Sequence, residues 1–261
     1  MQITAKTWNE YITRLSRLNQ KAGQLMREYI GSHDTESTDD LIAYAYGLVT
    51  KYGEGSAELA CQMYDALAEA ANAGVPAAEP AEPADYGEVA RMVNATKNQN
   101  PANLPNGVSR LVKRAGADTT LKNAARDGAE WAWVPHGDTC PFCITLASNG
   151  WQKASSKVLK GGHAEHIHAN CDCEFAIRFD HKTTVAGYDP DKYLAQYNAA
   201  GGDINKMRRV NYAANKERIN AQKRAAYAAR KLNDIEIGRS IGAKAKNYVV
   251  VDKSTGEEYY F

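Results

Sequence analysis

The chain has 261 residues, of which 44% are apolar, 24% charged and 9% aromatic. That length can bury one large core or two smaller ones, and the composition excludes a disordered chain. The formal net charge is +1, so no global field points to a partner. The charge is nevertheless uneven: residues 1–90 hold 14 acidic and six basic side chains, and residues 206–231 hold nine basic groups against Glu217 alone. No apolar run approaches the roughly 20 residues that a membrane helix needs. The opening MQITAKTWNEY shows neither the basic nor the apolar region of a signal peptide. The expectation is a protein that starts in a reducing cytoplasm without membrane contact. There, clustered cysteines bind metal or react more often than they pair.

Residues 8–30 place Trp8, Tyr11, Ile12, Leu15, Leu18, Leu25, Met26, Tyr29 and Ile30 at helical spacing. Thr7 and Glu10 have the spacing of a capping box at its start. After the polar loop GSHDTESTDD, a second helix is predicted over 39–52, stopped by Gly53, and a third over 56–73, stopped by Gly74. No one of these hides its apolar stripe alone, so residues 1–75 read as a helical bundle. The Pro/Ala/Glu stretch VPAAEPAEPAD follows, and within it 76–85 reads as an extended, semi-rigid linker. Shorter helices are predicted at 86–98 and 107–128. Glu174-Phe-Ala-Ile-Arg-Phe179 alternates as a strand does. Residues 204–232 read as one long polar helix, and YVVVDKSTGEEYYF as two strands around a turn at DKSTG. The fold class is mainly α: the bundle, the linker, a small α+β zinc-knuckle-like module over 86–180, a long basic helical segment over 181–232 and a β-like tail over 233–261.

Four of the five cysteines fall in two short stretches, DTCPFC and HANCDC. Cys140 and Cys143 form C-x-x-C, a knuckle able to aim two thiolates at one tetrahedral ion. His168, Cys171 and Cys173 form H-x-x-C-x-C, and His163 and His166 stand just before them as alternate ligands. A structural zinc site needs four ligands. The expected set is Cys140, Cys143 and His168, with Cys171 or Cys173 as the fourth and the remaining residue beside it. Zinc binding contributes roughly 10 kcal/mol or more to folding such loops. Unmetallated thiols or a structural disulfide pair is the competing account. Cys61, on an apolar helix face, reads as core.

His163-Ala-Glu165 is an H-x-E triplet, the form in which zinc deaminases carry their proton-shuttling glutamate. Here C-x-x-C precedes it and Thr139, not proline, stands before Cys140, so deaminase chemistry would need a different fold. A metal-dependent nuclease built on His163, Glu165, His166 and His168 is a second enzymatic alternative. The simpler account is a polar loop passing near the metal, and the expectation is a chain that is not an enzyme. The helix at 206–231 carries Lys206, Arg208, Arg209, Lys216, Arg218, Lys223, Arg224, Arg230 and Lys231. Nucleic-acid phosphates, an acidic protein partner or plain solvation each accounts for them.

An aromatic segment, then C-P-x-C, a spacer and H-x-N-C-x-C resembles the signature of tailed-bacteriophage minor head proteins, the Mu F-like head morphogenesis family. Cys140, Cys143, His168, Cys171 and Cys173 carry the match. Ala169 stands where proline is common and Asp172 where arginine is common. The resemblance is clear over about 110–180. It implies a virion protein of few copies inside the capsid, assembled in the bacterial cytoplasm. Its implied partners are the portal protein, the major capsid or scaffold protein and packaged DNA.

Overall fold

The computed structural model describes the backbone of residues 1–33, 37–137, 139–155, 171–242, 249–251 and 258–260. Side chains among these are described up to residue 228, except at 222 and 226. The elements in chain order are β1 (Gln2–Ile3), α1 (Ala5–Ser32), α2 (Thr38–Ala70), α3 (Tyr86–Gln99), α4 (Leu104–Asp127), β2 (Glu130–Val134), α5 (Pro141–Ala147), β3 (Gln152–Lys153), β4 (Glu174–Arg178), β5 (Thr184–Val185), α6 (Pro190–Ala199), α7 (Ile204–Gly242), β6 (Val249–Val251) and β7 (Glu258–Tyr260). The chain divides into two compact units, Met1–Ile204 and Asn205–Phe261.

In the first unit, α4 is the central helix. Leu104, Val108, Leu111, Val112, Ala115, Ala117, Leu121 and Ala124 are all buried along it, and so are Ser109, Lys113, Thr119, Thr120 and Asn123. Burial on nearly every side explains why its sequence shows no sharp apolar stripe. Close helix approach depends on small residues. A Cβ on Gly116 would lie 2.7 Å from the Ser56 hydroxyl and 3.1 Å from its carbonyl oxygen, so α2 and α4 touch through backbone there. Gly128 ends α4 at φ 67°, the left-handed turn that glycine adopts freely.

Two apolar clusters fill the unit. One joins Ala22 and Met26 of α1, Leu41 to Val49 of α2, Val89 and Val93 of α3, and Leu104 to Val112 of α4. The other joins Trp8 to Leu15 of α1, Leu59 to Leu67 of α2, Ala117 to Ala124 of α4, and the sheet with Cys143 and Cys173. The sheet has the order β3-β2-β4, antiparallel throughout, and pairs Trp131 with Ile177 and Trp133 with Phe175. Phe175 meets both tryptophan rings edge-on, at centroid distances of 5.3 and 4.7 Å.

Several expectations from sequence change. The helices predicted at 39–52 and 56–73 are one helix, α2, because Gly53 sits inside it under Pro83 instead of ending it. Thr4, not Thr7, caps α1, and its hydroxyl accepts from the Thr7 amide at 3.1 Å. Residues 76–85 contain no helix, but they bind α4 closely. The amides of Glu79 and Ala81 donate to Asn123 Oδ1 and Thr119 Oγ1, each at 2.9 Å, and the Ala78 amide donates to Asp65 at 2.7 Å. Donors that extended proline-rich backbone leaves open are thus met by side chains. Glu174 opens a strand that reads as alternating, yet it is 2% exposed. In the second unit, α7 extends ten residues beyond the predicted end at 232, and β6 pairs antiparallel with β7. The turn expected at DKSTG lies outside the described residues.

Candidate metal centre

The C-x-x-C stretch forms the start of α5. Cys140 is its N-cap, Pro141 takes the first helical position where no donor is needed, and Cys143 follows on the first turn, 1% exposed. Cys171 and Cys173 lie on the approach to β4. The sulfurs of Cys143, Cys171 and Cys173 all lie within 4.8 Å of one another, and the Cys143–Cys171 separation is 3.4 Å. Four thiolates around zinc at about 2.3 Å imply sulfur–sulfur edges of about 3.8 Å. The Cys143–Cys171 separation is somewhat below that value and well above the roughly 2.05 Å of a disulfide. None of the five cysteines is in a disulfide. The Cys140 thiol is a further partner of Cys143.

Hydrogen bonds around the sulfurs suit thiolate ligands. The Cys173 amide donates to the Cys171 sulfur, and the His136 amide to the Cys173 sulfur. The Cys171 thiol is pulled well below its ordinary range, chiefly by hydrogen bonds from Cys143 and Cys173. Cys143 is pushed far up because it shares its proton with Cys140, Cys171 and Cys173. A cluster of three sulfurs at this spacing could hold a metal ion.

Three consecutive residues carry the second half of the site, and each is tied to the helices. Lys113 is 3% exposed, and its ammonium donates to the carbonyl oxygens of Cys171 and of Cys173, the latter at 2.7 Å. The Lys113 nitrogen also lies 5.9 Å from the Trp133 ring centroid. Between the two cysteines, Asp172 accepts from the Ser16 hydroxyl of α1. Glu174 follows, its carboxyl pushed up by burial and partly held down by Lys113.

Of the ligands expected from sequence, Cys143, Cys171 and Cys173 converge, with the Cys140 thiol beside Cys143. The sulfurs of Cys171 and Cys173 both lie in the cluster. His163, Glu165, His166 and His168 lie outside the described residues. On α7, Lys206, Arg208, Arg209, Lys216, Arg218, Lys223 and Arg224 are exposed; the side chains of Arg230 and Lys231 are not described. Sequence reasoning missed Lys113 and Ser16.

Fold and site together define a mainly helical protein with a cysteine knuckle seated between a small sheet and its helical core. The chain belongs to the VG15 protein family, whose model matches residues 2–200. Neither the curated proteins nor the solved structures contain a significant match. Among the described residues, no helix is long and apolar enough to cross a membrane.

Proposed function

We propose that this chain is a phage minor head protein that aids head assembly and carries one structural zinc ion. The observation that carries the proposal is the convergence of Cys143, Cys171 and Cys173 from two stretches of sequence into one cluster. The same residues carry the resemblance to the head-morphogenesis signature, and the family name, VG15 protein, reads as a viral gene product. Cys140 completes a four-thiol set in this reading, with His168 as the competing fourth ligand.

The metal would join α5 to the approach of β4. A closed four-ligand site leaves no position for a reactive water, which is how structural zinc differs from catalytic zinc. Within the virion the proposed partners are the portal and the major capsid or scaffold protein. The exposed side of α7 supports a contact with packaged DNA. At about 100° per residue, Lys206, Arg209, Lys216, Lys223 and Arg224 fall within an arc of about 100°, and Tyr227 lies inside it. That stripe suits a phosphate backbone.

Two measurements test the reading. Elemental analysis of protein purified without added metal should give one zinc per chain, and cobalt substitution should give a closed tetrahedral spectrum. Mass spectrometry of purified heads from a phage encoding the chain should then find it in few copies. Nuclease or deaminase turnover from an open, water-bearing site, or absence from heads, would replace this reading with the enzymatic one.

A further inference from the structure

We propose that Lys113 and Ser16 are positioning residues for metal capture: from α4 and α1 they hold the Cys171–Cys173 segment in its ligating shape before metal arrives. The inference rests on the reading that the cysteine cluster binds metal. It adds which residues outside the cluster set that affinity.

The geometry is specific. Residues 171, 172 and 173 are each bonded to a helix. Lys113 spans the segment by binding the carbonyls at both of its ends, and Ser16 fixes the side chain at its centre. One ammonium on two carbonyls separated by a single residue sets the distance between those peptides, and so the directions in which the two cysteine side chains leave the backbone. The segment has few other anchors: it forms no strand, and the pairing of β2 with β4 begins only at Glu174. A buried ammonium costs free energy unless its donors are met. At Lys113, two of the three are met by this one segment. The sulfurs it presents are further ordered by the amides of Cys173 and His136.

Preorganisation of this kind changes what metal binding must accomplish. When the fold has already ordered two ligands, less conformational entropy is lost as the ion binds, and affinity rises accordingly. Groups that orient metal ligands from outside typically alter affinity by about 10–100-fold.

Full-length Lys113→Met keeps the length of the side chain and removes its donors. Ser16→Ala removes the second tie at a half-buried position. Zinc affinity is measured by competition with a chromogenic chelator, together with the cobalt(II) spectrum and the unfolding temperature of the metal-free protein. In folded Lys113→Met, zinc should bind on the order of 10–100-fold more weakly, with an altered cobalt spectrum. Ser16→Ala should weaken it by a smaller factor. A purely structural Lys113 would lower the unfolding temperature of the metal-free protein and leave zinc affinity unchanged, which overturns the proposal. Should Lys113→Met fail to fold, Ser16→Ala decides: wild-type zinc affinity in that variant contradicts the clamp. If the wild-type protein itself binds no zinc, the metal reading fails, a result distinct from failure of the clamp.

Discussion

The two apolar clusters of the first unit are built on the same three helices and are held by different means. Around Met26, Leu41 and Leu111 the packing is aliphatic, and each of these side chains is at most 1% exposed. Around Trp133 and Phe175, the core also admits two thiols, an ammonium and a carboxyl: Cys143, Cys173, Lys113 and Glu174. The aliphatic end is stabilised chiefly by burial, at about 25 cal/mol per Å² of apolar surface. The other end also buries an ammonium and a carboxyl, and a buried charge is costly once its partner is lost. A region built like the first does not depend on any one polar bond, whereas a region built like the second depends on the bonds of Lys113 and of the cysteines.

Breaking the polar end should give the largest effect. Cys143→Ser should abolish stoichiometric zinc. In hydrogen exchange, the amides of α5 and β4 should lose protection while those of α3 and the first half of α4 keep theirs. Breaking the aliphatic end should do the reverse: Leu111→Ala should lower stability by about 2–5 kcal/mol in denaturant unfolding with zinc content unchanged. Gly116→Ala places a methyl group against the Ser56 backbone and should cost about 1–3 kcal/mol through forced separation of α2 and α4.

A pH titration sharpens the contrast. Asp127 is held below the usual carboxylate range chiefly by the hydrogen bond from Arg126; burial opposes this, and the Tyr64 hydroxyl adds to it at 2.6 Å. A depressed folded-state value stabilises the protein above the unfolded value of about 3.9 and loses that contribution as pH falls through the folded value. Stability should therefore decline below about pH 4, and Asp127→Asn should flatten that part of the curve. The smallest effect belongs to α7. Lys216→Glu with Lys223→Glu should change stability by no more than about 0.5 kcal/mol. If α7 contacts DNA, the same pair should reduce the salt dependence of binding.

Much of the helical frame was legible because apolar spacing is a local signal. The stripe from Trp8 to Ile30 lies within α1, and the short helices predicted around 86–98 and 107–128 match α3 and α4 to within a few residues. Where a local rule misled, packing had overridden it. Gly53 is an ordinary stop signal, but here it is a contact point for Pro83, which lies 30 residues further on. Glu174 sits in an alternating pattern that marks it as exposed, but it follows Cys173 into a core where Lys113 compensates part of its charge. In the candidate site, the cysteines were visible by spacing alone. Lys113 and Ser16 were not, because a lysine on a helix is ordinarily solvated and nothing in a linear sequence shows two carbonyls waiting above it.

The proposed gathering of the cysteines around one closed metal site is open to a direct spectroscopic test. X-ray absorption at the zinc edge, on protein purified without added metal, tests it most directly. The account predicts a single zinc with four ligands, at least three of them sulfur at about 2.3 Å; a fourth sulfur identifies Cys140, and one nitrogen identifies His168. Protein that contains no zinc, or zinc bound by fewer than three sulfurs with a water oxygen in its shell, would contradict it.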